Sequence, residues 1–247
     1  MDYWDFQFIS LQNRYPLMSN GLKKYNTIGC CGIDCGLCPR FISQSDSACP
    51  GCGAPDFYEK HPSCGFLTCC AKNHGLEICS ECNDFPCKRF DSEREGYDSF
   101  VTHKKVFENQ EKIKSHGLDK FLIEQTQRIE ILNYMIDNYD NGRSKSFFCQ
   151  TCTLLPLDSL LEIRQDCDSI DDSLDIKERN QAIKGLIQKN TDKLNIDFKI
   201  EKEIMHDRTT ICISNGGDCS KIEACSSHQI HHGLIMMSSE IRHYSYI

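Results

Sequence analysis

Apolar side chains recur with a 3.6-residue period from soon after Cys87 to about Leu194, the rhythm of helices that each bury one face. This predicts a helix from about Ser99 to Ser115, closed at Gly117, where a residue free to take a positive φ commonly ends a helix. A longer helix is predicted over about Leu118 to Tyr139. Leu118, Leu122, Ile129, Leu132 and Ile136 share a face that reads as core, and Asn141-Gly142 ends the run. Pro156-Leu157-Asp158-Ser159 predicts another start, with Asp158 as N-cap ahead of Leu160, Leu161 and Ile163. A fourth helix is predicted over about Leu174 to Leu194. Ile196-Asp197-Phe198-Lys199-Ile200 alternates apolar and polar, which suits one strand.

The pattern is different on either side. Residues 1–27 show no clear period and read as an N-terminal extension. Between Cys30 and Cys87 the large apolar residues are few, chiefly Phe41, Ile42, Phe57, Phe66, Leu67, Ile78 and Phe85. A stretch of roughly 60 residues with so thin a core is marginal unless stapled. After Ile200 the chain holds Cys212, Cys219, Cys225, His228, His231 and His232 among Ser, Asn and Gly, a composition without a core of its own. The expected organisation is therefore 1–27 extension, 28–90 cysteine-rich domain, 91–200 helical domain and 201–247 mobile tail. The expected fold class is α+β, mostly α, with a small loop-rich multi-cysteine domain ahead of the helices.

Twelve of the 18 cysteines lie between Cys30 and Cys87. Cys35/Cys38, Cys49/Cys52 and Cys79/Cys82 are spaced as Cys-x-x-Cys, the turn that lets two sulfurs grip one ion, and two such turns complete a tetrahedral thiolate cage. In Cys49-Pro50-Gly51-Cys52-Gly53, proline fixes one dihedral and the glycines allow the tight turn of a metal knuckle. Cys35, Cys38, Cys49 and Cys52 form the first expected ligand set, near the spacing of zinc ribbons. Cys64, Cys69 or Cys70, Cys79 and Cys82 form a second, with Cys31 and Cys87 unassigned between them. About two zinc ions are expected on this count. Iron–sulfur clusters use the same thiolate ligands and are the alternative.

Other motifs are weaker. Cys31-x3-Cys35-x2-Cys38 has the spacing of radical S-adenosylmethionine enzymes, but no series of strand–helix units follows and residue 37 is Leu. Cys149-x2-Cys152 lacks the strand and helix start of a thioredoxin pair, so Cys149, Cys152 and Cys167 read as buried thiols packing like small hydrophobes. Cys225-x2-His228 has ligand spacing, and the tail would serve if the protein stored or delivered metal. His74 lies inside the cysteine cluster, where an all-sulfur shell is expected instead. No phosphate loop, His-Glu-x-x-His, Gly-x-Ser-x-Gly or dinucleotide fingerprint is present, so nothing marks an enzyme.

Charge and hydropathy narrow the setting. A net charge of −8, without a long basic stripe, disfavours general nucleic-acid binding. No window approaches the roughly 18 continuous apolar residues of a membrane span, and the first residues do not form a secretory signal. A cytoplasmic, reducing location follows as the expectation, and there clustered cysteines bind metal or do redox chemistry.

Cys31-Gly32-Ile33-Asp34-Cys35-Gly36-Leu37-Cys38-Pro39-Arg40, Cys49 to Gly53, Cys64 to Ala71, and Cys79 to Cys87 ending in Phe-Pro-Cys together resemble a prokaryotic cysteine-rich family, domain of unknown function 3795. The resemblance extends through Gly142 to Phe147 and Cys149 up to roughly Ile200, and the extra Cys30 departs from its pattern. It implies a metal-binding domain with appended helices, on Cys31, Cys35, Cys38, Cys49, Cys52, Cys64, Cys69 or Cys70, Cys79, Cys82 and Cys87. It supplies no established activity. The expected role is that of a metal-binding accessory or interaction protein, with an unidentified protein partner meeting Phe41, Phe57, Phe66 and the helices. An iron–sulfur protein for electron transfer or support of an anaerobic enzyme is the alternative.

Overall fold

The computed structural model describes residues 21–61, 63–90 and 103–196, which belong to one compact unit. The described residues are mostly helical and contain no strand; the strand expected over 196–200 falls outside them except for Ile196, as does the Cys/His tail. No described helix is long and apolar enough to cross a membrane.

Two short helices, α1 (Phe57–Lys60) and α2 (Gly65–Leu67), lie within the cysteine-rich segment, and α2 continues as a π-helical turn over Thr68–Asn73. Five longer helices follow: α3 (Val106–His116), α4 (Leu118–Tyr139), α5 (Lys145–Leu154), α6 (Leu157–Asp166) and α7 (Ile176–Leu194). Gly117, at φ +89°, makes the break between α3 and α4 that the sequence leads one to expect. The start of α7 is fixed by a capping box. Asp175 Oδ1 accepts the N–H groups of Lys177 and Glu178 at 2.8 and 2.9 Å, and Glu178 Oε2 accepts that of Asp175 at 3.0 Å.

Two expectations need correction. Helix α6 begins two residues earlier than the sequence suggests, with Pro156 at the N-cap and Asp158 inside the first turn. There its carboxylate still meets the positive end of the helix dipole without capping it. Helix α5 is unforeseen, because it is short and the weak helix formers Cys149, Thr151, Cys152 and Thr153 hold four of its buried positions beside Phe148 and Leu154. Its threonines satisfy themselves, Thr151 Oγ1 donating to Phe147 O at 2.9 Å and Thr153 Oγ1 to Cys149 O at 2.8 Å.

The central helix is α4, which packs against α3, α5, α6 and α7. Its Ile129, Leu132 and Met135 meet Phe148, Leu160, Ile163, Ile183 and Ile187 in the main core. Cys149, Cys152 and Cys167 are 2, 0 and 2% exposed there, as thiols filling small gaps should be. The cysteine-rich segment contributes to the same core. Leu37, fully buried at the end of the 3₁₀ turn Cys35–Leu37, inserts between these helices and so seats the flanking Cys35 and Cys38 against the bundle.

Polar locks complete the junction. Asp34 accepts Gln125 Nε2 at 2.7 Å and Asn109 Nδ2 at 3.2 Å, while Gln110 Nε2 donates to Cys30 O at 2.9 Å. Burial pushes the Asp34 carboxyl above its usual range, and the Gln125 amide, Arg128 and the Asn109 amide pull it partly back. Buried amides that meet their partners specify one docking pose, because displacing them would leave unpaired groups out of water.

Candidate metal centre

The cysteine-rich segment is built of turns around a small core of Cys30, Cys52, Phe57, Leu67, Cys70 and Ala71. Half of that core is sulfur. No disulfide joins the described cysteines. Phe57, expected on a contact surface, is instead 4% exposed and stacks on His61 at 4.6 Å. In so thin a core the segment has no larger side chain to bury in its place.

The knuckle at Cys49–Gly53 is held by residues 22–26. Leu22 N–H donates to Gly53 O at 2.7 Å, Cys52 N–H to Asn26 O at 3.0 Å, and Asn26 Nδ2 to Pro50 O at 2.7 Å. Both glycines are required by contact as well as by φ. A Cβ on Gly51 (φ +89°) would lie 2.5 Å from Asn26 O, and one on Gly53 (φ +78°) 2.7 Å from Lys23 Cγ. The second knuckle is Cys38-Pro39-Arg40-Phe41, where the backbone N–H groups of Arg40 and Phe41 point at the Cys38 sulfur. Such donors favour the thiolate over the thiol.

The structure brings the expected ligands together in a different grouping from the one their spacing suggests. Cys52 is in hydrogen-bond contact with Cys30, Cys30 with Cys70, and Cys70 with Cys79, so four sulfurs form one continuous row. Cys31 and Cys35 lie beside this row facing Cys52, and Cys31 also faces Cys64. Cys38 faces Cys49 apart from the row, with Cys149 of α5 on the bundle side. Cys69, Cys70, Cys79, Cys82 and Cys87 line a small, partly open pocket of about 30 Å³ together with exposed His74. Phe66, Phe85 and Phe90 wall it, with the Phe66 and Phe90 rings 4.8 Å apart. Among the described residues, no group of three or more Cys, His, Asp or Glu side chains is placed to hold a metal ion.

Two residues of this site escape a reading based on spacing. Cys30, which lies outside the repeated pairs, sits at the middle of the sulfur row. Lys23 lies in the stretch without a period, yet its side chain is fully buried and its ammonium donates to Ile28 O at 2.6 Å. A lone lysine ahead of a motif carries no sequence signal.

Burial holds these thiols in the protonated form. Desolvation pushes Cys31 up to about 12 and Cys35 well above its ordinary value of 9.0. The Cys30 contact first, then burial, raises Cys52 strongly. Because the folded values lie above the unfolded one, the stability they contribute is complete below pH 9.0 and drains away as pH rises toward them. Each such thiol costs about 1.4 kcal/mol per pH unit across that window.

The site and fold define a cysteine-rich segment of stapled turns docked on a helical bundle. Residues 27–92 match the model of a family described as "Protein of unknown function (DUF3795)", so the cysteine-rich segment is similar to that family; the long helices lie beyond the match. No curated protein and no solved structure matches the chain.

Proposed function

We propose that the protein is a metal-binding accessory or interaction module in which sulfur-bound zinc holds the cysteine-rich segment in shape. The observation that carries this reading is the row Cys52, Cys30, Cys70, Cys79, of which the first three are buried in the segment's own core and Cys79 is half-buried beside them. To hold Zn²⁺ the four sulfurs would have to close from this row into a tetrahedron, and structural zinc, which contributes on the order of 10–16 kcal/mol, can drive such a closure. A closed four-sulfur shell leaves no open position for substrate, so the metal's part is architectural. The surface it supports includes half-buried Phe41 and Phe66 and the outer faces of the helices. A cytoplasmic setting keeps the thiols reduced and available.

A second reading is favoured by one feature. The pocket lined by Cys69, Cys70, Cys79, Cys82 and Cys87 is walled by phenylalanine, and a set of thiols beside apolar rings suits an iron–sulfur cluster shielded from water. Elemental analysis of anaerobically purified protein, with its absorption spectrum, separates the two. Colourless protein with about two zinc ions is the expected result. A brown protein that contains iron and sulfide and bleaches on reduction would replace zinc by the cluster.

A further inference from the structure

We propose that Cys79 and Cys82 form a redox-active dithiol that exchanges with low-molecular-weight disulfides entering the phenylalanine-walled pocket. This goes beyond the metal-binding reading above and needs no bound ion.

The pair closes a single 3₁₀ turn. The turn spans Cys79–Glu81, and the N–H of Cys82 donates to Cys79 O at 3.0 Å. Side chains three residues apart in such a turn share one face, with Cα atoms about 6 Å apart, inside the roughly 4.4–6.8 Å reach of a disulfide. The backbone of the turn is pinned. Cys79 N–H donates to Cys30 O at 2.9 Å, Ser80 N–H to Gln110 Oε1 of α3 at 2.8 Å, and Glu81 Oε2 accepts the N–H groups of Glu77 and Ile78 at 2.8 and 3.3 Å. Joining the two sulfurs therefore asks for side-chain rotation and not for a new backbone path.

Access separates this pair from the other two Cys-x-x-Cys turns. Cys79 and Cys82 are both half-buried and both line the pocket beside Phe66, Phe85 and Phe90, and Glu81 between them is exposed. Cys35 and Cys38 close a similar turn, but Gly36 and Leu37 between them are buried, Leu37 in the helical core. Cys52, the second member of the remaining pair, is only 5% exposed. Within the pocket, Cys69 and Cys70 are chain neighbours with Cα atoms about 3.8 Å apart, too close for an ordinary disulfide. The Cys70 thiol already donates to Leu76 O at 3.5 Å.

Cys79 packs against the segment's own core, which leaves Cys82 as the outer sulfur and the first to react. Its thiolate attacks one sulfur of a disulfide RS–SR, the S–S bond breaks, and RS⁻ leaves and takes up the proton that Cys82 gave to water. The Cys79 thiolate then attacks the Cys82 sulfur of the mixed disulfide and expels the second RS⁻, which is protonated in the same way. Two protein thiols are thereby oxidised by two electrons to one disulfide, and RS–SR is reduced to two RSH.

The test treats full-length protein, purified without air, with oxidised glutathione. Free thiols are blocked with iodoacetamide at intervals and the bonds formed are located by peptide mass spectrometry. Among the twelve cysteines from Cys30 to Cys87, the Cys79–Cys82 bond is expected first, about tenfold faster than Cys35–Cys38 or Cys49–Cys52, and dithiothreitol should reverse it. Cys79→Ser should stop at glutathione attached to Cys82, because the second thiol is missing. A different first bond among these twelve, or no glutathione on Cys82 in Cys79→Ser, overturns the proposal. Should Cys79→Ser lose its fold by circular dichroism, the wild-type bond map decides alone. Added Zn²⁺ keeps the two readings apart. Exchange slowed by zinc supports both, whereas exchange unchanged by zinc supports this proposal and takes Cys79 out of the ligand set.

Discussion

Stripping bound ions from the reduced protein with a strong chelator is expected to unfold the cysteine-rich segment while α4 to α7 remain helical. The reason lies in what each part buries. The helical core gathers Ile129, Leu132, Met135, Phe148, Leu160, Ile163, Ile183 and Ile187, all 3% exposed or less. The cysteine-rich segment buries Ile28, Leu37, Phe57, Leu67 and Ile78, of which only Phe57 and Leu67 lie in its own core beside three cysteines and an alanine. Fixing each backbone residue costs roughly 1–2 kcal/mol, which these few side chains cannot offset over a stretch of this length. Ion binding worth on the order of 10–16 kcal/mol can. Hydrogen exchange should show protection lost across residues 28–90 after chelation, with the amides of α4 and α5 still slow. Leu37 links the two parts, so some loosening of Ile129 and its neighbours is expected as the turn at Cys35–Leu37 lets go. Continued protection of 28–90 with its ions removed and its thiols free would refute metal stapling.

Phe148→Ala is expected to be among the most damaging single changes in the helical part, at about 3–5 kcal/mol. Phe148 is fully buried on α5 and packs within the core shared by α4, α6 and α7. Truncation would leave a hole lined by branched aliphatic side chains that cannot all relax into it. Phe147, one position earlier and half-buried, with the Lys184 ammonium 5.6 Å from its ring centre, should cost clearly less. Urea denaturation of the two variants against wild type tests this, and equal losses would mean that the burial difference does not set the energy. Because this core includes Leu37, Phe148→Ala should also make zinc easier to extract.

Long helices with one apolar stripe were legible from sequence. Helix α4 begins and ends where its period and the glycines on either side place it, because a face of Leu and Ile repeating every 3.6 residues has no other way to leave water. Helix α7 was legible for the same reason, its start offset by two residues to the capping box at Asp175. Helix α5 was not, because it is short and weak helix formers hold four of its buried positions.

For the centre, the sequence by itself determined which atoms are available: sulfurs in two-residue pairs, the tight turn Cys49–Gly53, and too few large apolar residues to hold that stretch alone. Only the tertiary structure decided which sulfurs meet. Spacing governs neighbours a few bonds apart, whereas the contacts Cys52 to Cys30 and Cys30 to Cys70 depend on where residues 22–26 clamp the knuckle and where Leu37 anchors the turn. The same folding lays the Lys23 stem over Gly53 of the knuckle and buries its ammonium against Ile28 O, a placement that packing and not spacing sets.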